Sequence, residues 1–196
     1  MGTLAKRVLT ALIAIPLLLA VTFWEVTTPF KLIAVAGLIL ALLEYLQLAY
    51  DDQIKPQRTE GIISLVIILL PFIDPSLFQW APAASVLAVL FVLNLSFLWS
   101  QRTIKRMIVT VSVTFFGVAY FGFFGSYFFR LREVPQGAWL LLWLYISTWA
   151  YDTGGYFAGG LWGKHKLAPQ ISPKKSWEGC LGGAVRPHED IPAYLR

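Results

Sequence analysis

The stretch MIVTVSVTFFGVAYFGFFGSYFF, residues 107–129, runs for 23 residues without a charge. A helix rises about 1.5 Å per residue and a bilayer's hydrocarbon core is about 30 Å thick, so about 20 apolar residues suffice to cross it. Outward from this run, similar stretches lie at 8–24, 32–50, 83–99 and 137–151. A shorter run at 61–74 continues obliquely toward Trp80, and an apolar stretch beginning near Gly179 stops after a few residues. The fold class expected is all-α: a polytopic membrane helix bundle of about six transmembrane helices plus the start of a seventh. Composition agrees. The 196 residues are 57% hydrophobic and 14% charged, with mean hydropathy +0.65, which excludes disorder and argues against a soluble globule. The lone Cys180 excludes a disulfide framework and a cysteine zinc site. His165 and His188 stand too far apart to form a local ligand pair.

Lysine and arginine set the orientation. With the N-terminus inside, thirteen of the 16 Lys and Arg fall on the cytoplasmic side. Only Lys31, Arg130 and Arg132 fall outside. The expected location is integral to the cell (inner) membrane, with the N-terminus and the 152–179 loop cytoplasmic. Trp24, Trp80, Trp99 and Trp139 fall near span ends, where amphipathic rings favour the interface. Gly37 with Ala41, and Gly122 with Ser126, form small-xxx-small steps suited to close helix approach.

Two polar residues lie inside spans. Glu44 shares a helical face with Gly37, Leu40, Ala41 and Leu48. A carboxylate in lipid is costly, so it is expected to face the bundle interior or a wet cavity, as a substrate-headgroup contact or as a structural acid, or to lie near enough the cytoplasmic surface to be hydrated. Asn94 suits helix–helix hydrogen bonding.

The segment 152–179 carries the chemistry: six glycines, four lysines, one histidine and two acids, with aromatics interleaved. Gly154, Gly155, Gly159, Gly160 and Gly163 allow close backbone approach to a ligand, and Lys164, Lys166, Lys174 and Lys175 supply positive charge. These are ingredients of a polyphosphate site, although the Walker A spacing is absent. Ser172-Pro173 reads as a helix cap followed by a first-turn proline, which puts Lys174 and Lys175 where the helix dipole disfavours cations unless an anion binds there. A basic juxtamembrane loop facing anionic headgroups fits the same composition. Asp152 is expected to end the sixth span beside this loop, where it would hold Mg²⁺ or pair with a lysine. Glu178 is a second carboxylate or a partner of Lys174 at i, i+4.

Three blocks carry a family resemblance: Asp152-Thr-Gly-Gly-Tyr-Phe-Ala-Gly, Gly163-Lys-His-Lys-Leu-Ala-Pro and Ser172-Pro-Lys-Lys-Ser-Trp-Glu-Gly. In order and spacing they resemble phosphatidate cytidylyltransferase (CDP-diacylglycerol synthase), and the Glu44-Tyr45 pair is similar as well. Gly160 stands where the family pattern has a basic residue, and the likeness stops after Gly183. Family members continue through further spans into a signature that includes acids implied in metal binding. The resemblance therefore implies a partial integral-membrane cytidylyltransferase domain at 1–183 and a divergent tail at 184–196. A chain truncated in this way is expected to have little or no activity.

The implied reaction is CTP plus phosphatidate giving CDP-diacylglycerol and pyrophosphate, in phospholipid biosynthesis with Mg²⁺. The resemblance implies catalytic roles for Asp152, Lys174 and Lys175, substrate contacts at Lys164, Lys166, Ser172 and Glu44, and metal binding at Asp152. Partners are CTP, phosphatidate and the lipid bilayer, with no nucleic acid; the oligomeric state stays open, a homodimer included. The alternatives are a CTP-dependent lipid kinase, which would attack the γ-phosphorus, and a non-catalytic transporter or lipid-binding protein. Neither internal repeats nor spans interrupted at the midplane favour a transporter.

Overall fold

A computed structural model describes residues 3–50, 55–74, 76, 86, 88–90, 92, 93, 95, 103–170 and 172–184. The chain divides into two compact units, Met1–Leu141 and Leu142–Arg196. The first holds helices α1 (Thr3–Phe23), α2 (Thr28–Leu48), α3 (Arg58–Ile73) and α4 (Ile104–Glu133). Helix α5 (Gly137–Trp162) begins at its end. The described residues between 86 and 95 are also helical. The second unit holds the rest of α5, strands β1 (Lys166–Ala168) and β2 (Ser172–Ser176), and helix α6 (Trp177–Ala184). Asn94, most of the run at 83–99 and the tail at 185–196 lie outside the described residues.

Local chemistry sets the helix ends. Pro29 opens α2, where a missing N–H costs nothing. Arg130 and Arg132 fill the last turn of α4, where cations suit the helix dipole. The turn into α5 puts Gln136 at φ 61°, the left-handed region. At Gly137 that turn leaves no space for a Cβ, which would collide with the Leu131 carbonyl. Among the described residues, α2 and α4 are long and apolar enough to cross a membrane. At 30 residues, α4 is about 45 Å long, matching a bilayer with its headgroups.

Helix α4 organises the first unit. Its buried face is Thr110, Thr114, Gly117, Val118, Gly122, Gly125, Ser126 and Phe129, small residues at helical spacing. Larger side chains lie over them: Tyr45 and Leu42 over Gly117, Ile68 over Gly122, and Leu38 over Gly125. A core of Leu42, Leu46, Leu65, Leu69, Val89, Leu93, Val118 and Phe129 completes the contact. The Gly122–Ser126 step therefore does what its spacing predicts. Gly37 does not: it is exposed, with nothing within 4 Å of where a Cβ would sit.

Polar groups gather at the two ends of this bundle. At one end Lys31 Nζ, only 12% exposed, donates to the Ile73 carbonyl at 2.8 Å and to Glu133 Oε1 at 2.7 Å. There Arg132 also donates to the Trp24 carbonyl at 2.7 Å, Arg130 lies over the Phe72 ring, and Phe23 meets Trp139 edge-on. At the other end Arg58 donates to Gln47. The Gln57 backbone N–H donates to Thr114 Oγ1 at 3.2 Å, and its side-chain amide donates to the Leu93 carbonyl at 3.1 Å.

Glu44 does not face the interior of the described bundle. It is exposed on the outward face of α2, together with Gly37, Leu40 and Leu48. The buried stripe of α2 falls instead on Leu42 and Leu46, with Tyr45 half-buried beside them. The carboxylate lies four residues from the helix end, about 6 Å of rise.

Candidate functional site

The second unit is built from helix, hairpin and helix. Helix α5 does not stop at Asp152 but runs on to Trp162. Asp152 is therefore an exposed residue within a helix, and Gly154, Gly155, Gly159 and Gly160 are helical rather than loop. Their purpose is packing. A Cβ at Gly154 would stand 2.8 Å from the Gly182 carbonyl oxygen, and one at Gly155 would stand 3.2 Å from that of Gly179. In return, a Cβ at Gly179 would stand 3.0 Å from the Gly155 carbonyl oxygen. The pairing runs from Tyr151 against Gly183 to Gly159 against Ser176 and Gly179, so α5 and α6 lie antiparallel with backbone touching backbone. Gly160 alone of these helical glycines has open space around it.

The hairpin carries the lysines. Strands β1 and β2 pair antiparallel, Lys166 with Ser176 and Ala168 with Ser172, with an irregularity between. This corrects the expected helix start at Ser172. Ser172-Pro-Lys-Lys-Ser176 is a strand, and Lys174 and Lys175 are exposed on it rather than in a first helical turn. The cap lies four residues later: buried Ser176 accepts the Gly179 N–H on its Oγ at 3.2 Å, and Glu178 occupies the first turn. Sequence reasoning missed Ser176; its only signal was a second serine ahead of Trp-Glu-Gly.

Glu178 pairs with His165, not with Lys174. His165 Nδ1 lies 2.6 Å from Glu178 Oε1, and the His165 N–H reaches both carboxylate oxygens at 3.2 Å. The Trp177 N–H returns to the His165 carbonyl at 2.9 Å. The backbone N–H of Glu178, then the His165 ring and N–H, pull the carboxyl pKa down to about 2.

The structure thus gathers Lys164, Lys166, Lys174 and Lys175, all exposed, on one hairpin, with Ser172 half-buried at its far end. It leaves Asp152 apart. Asp152 lies seven residues along α5 from Gly159, where Ser176 packs, about 10 Å of helix. Among the described residues no ion pair joins Asp152 to a hairpin lysine, and no group of three His, Cys, Asp or Glu assembles that could hold a metal ion. Glu178 is engaged by His165, whereas Asp152 stands exposed on α5.

Exposed cations on one hairpin suit a phosphate chain, and residues 5–187 match the cytidylyltransferase family. The chain belongs to that family. Among the relatives of this chain is the phosphatidate cytidylyltransferase of Staphylococcus haemolyticus, 31% identical over 182 residues, covering 91% of this chain and 67% of that protein. That of Staphylococcus aureus is 33% identical over 148 residues, covering 74% of this chain and 55% of the relative. That of Haemophilus influenzae is 35% identical over 111 residues, covering 55% and 36%. The chain therefore spans about two thirds or less of the length of these relatives. No solved structure matches it. The family read from the three motif blocks stands, and with it the nucleotidyltransferase class and the membrane setting.

Proposed function

We propose that this chain serves the transfer of a cytidylyl group from CTP to phosphatidate, with the hairpin lysines as the phosphate-binding element. In the reaction a phosphatidate oxygen forms a bond to the α-phosphorus of CTP, the bond to the β-phosphate bridge breaks, and pyrophosphate leaves. Such chemistry rests on positioning and on neutralising charge, which suits fixed cations at a membrane surface. The observation that carries the reading is the set of four exposed lysines on one hairpin, braced against a helix pair, in a member of this family. Ser172 stands at the same hairpin; Asp152 and Glu44 stand outside it, and no step is routed through a metal.

The test uses CTP labelled at either the α- or the γ-phosphate, with phosphatidate in nanodiscs. The α-label is expected to enter lipid; entry of the γ-label would make the protein a kinase. Replacing Lys174 and Lys175 with Gln is expected to weaken CTP capture about ten-fold or more, since a hydrogen bond to a charged group contributes about 1.5–3 kcal/mol. Unchanged capture would reduce the hairpin to a headgroup-facing loop.

The reading also takes six crossings, with the N-terminus and the hairpin cytoplasmic. Lys31 reaches both Ile73 and Glu133, so α3 and α4 finish at the same end. A return crossing between them supports a span through 83–99. Exposed Lys55 and Gln170, each replaced by Cys in a C180S background, are expected to react with an impermeant maleimide from the same side. Labelling from opposite sides would overturn the topology.

A further inference from the structure

We propose that Glu178 is a positioning residue: acting through His165, it fixes Lys164 and Lys166 against Lys174 and Lys175. This rests on the reading of the lysines as phosphate binders. Both backbone groups of His165 are committed to the first turn of α6. Its N–H goes to the Glu178 carboxylate and its carbonyl accepts from the Trp177 N–H at 2.9 Å. The ring adds a third link at 2.6 Å. The neighbours of His165 on either side are Lys164 and Lys166, and the residues just before the Ser176 cap are Lys174 and Lys175. One side chain thus closes the hairpin at its open end, where both pairs of lysines enter it.

The closure is independently braced on the α6 side. Ser176 is buried, caps Gly179, and packs against the glycines of α5. Glu178 therefore projects from a fixed base, whereas the His165 side chain is 80% exposed. Four lysines at short spacing repel one another, and without a clamp they would spread the hairpin. A carboxylate bound to the backbone between two of them holds the set together before any ligand arrives, which lowers the ordering cost of binding. The alternative is a Glu178 that itself meets the ligand or a metal. The two differ in what they need: the clamp needs an acceptor for His165, whereas a metal ligand needs the negative charge.

The experiment measures CTP binding by calorimetry to the full chain in nanodiscs, alongside amide hydrogen exchange. E178A is expected to weaken binding roughly ten- to a hundred-fold, the range for groups that orient a binding side chain. E178Q, which keeps an acceptor, is expected to restore most of it. H165A keeps its backbone N–H, so its loss is expected to be smaller. The E178A/H165A double variant is expected to bind no more weakly than E178A alone, the signature of residues acting as one unit. An E178Q as damaging as E178A, with H165A silent, would overturn the clamp in favour of direct contact. In exchange, the amides of His165 and Trp177 are expected to lose protection in E178A while those of α4 keep theirs. Unchanged protection at both would overturn the clamp even if wild-type protein bound no CTP. Failure of K174Q/K175Q to affect binding would instead count against the lysine reading alone.

Discussion

Glycine brings helices together in both units, in two different ways. In the first unit a glycine on α4 receives a side chain: the Tyr45 ring at Gly117, Ile68 at Gly122, Leu38 at Gly125. In the second a glycine receives another backbone: Gly154 meets the Gly182 carbonyl, and Gly155 and Gly179 meet each other. A side chain can change rotamer when its neighbour grows. A backbone carbonyl within a helix cannot, because it is already committed to the hydrogen-bond ladder. The first unit therefore tolerates repacking, and the second holds its hairpin on an unyielding base.

The largest effect should come from crowding the close approach of α5 and α6. A Cβ on Gly182 would collide with that of Ala158, so G182A is expected to lose about 1–3 kcal/mol of stability, the usual cost of overpacking. Reversible unfolding in mixed micelles measures it. G182A/A158G is expected to recover most of that loss, and a double variant as unstable as G182A would place the strain elsewhere. A smaller effect is expected in the first unit. At G125A the new Cβ meets the far end of Leu38, which can turn aside. The gain in helix propensity of about 1 kcal/mol from Gly to Ala then offsets much of the clash. An unfolding cost equal to that of G182A would erase the distinction between the two units.

The smallest effect is pH-dependent and confined to the second unit. The Glu178 carboxyl lies at about 2 in the fold, against 4.5 for an ordinary glutamate. A depressed folded value contributes stability above pH 4.5 and loses it as pH falls toward 2. Between those values the hairpin amides are expected to lose protection before those of α4. E178Q is expected to remove this difference, and its persistence in E178Q would assign the titration to another group.

Helices α2 and α4 were legible because an uncharged or nearly uncharged run of membrane length has few alternatives, and the Gly122–Ser126 step because small residues at helical spacing mean close approach in either solvent. The glycine-rich segment was not. The same glycines encode a loop that cradles phosphate or a helix that lies against another helix, and only the partner Gly179–Gly183 in α6 decides between them. The start of α6 was misplaced by four residues because Ser172 and Ser176 are both good caps and Pro173 favours the first. Pairing of 172–176 with β1 settled the competition, and that is a tertiary fact. For Glu44 the cost of a charge in lipid left an interior and a hydrated near-surface position open; it is exposed, about 6 Å of rise from the end of α2, and the interior reading falls.

The ionic cluster around Lys31 works as a mechanical fastening at one end of the first unit. Lys31 and Arg132 bond to the Ile73 and Trp24 carbonyls, and Lys31 also pairs with the Glu133 carboxylate. A force that separates the helices at the Lys31 end must first break a partly buried ion pair.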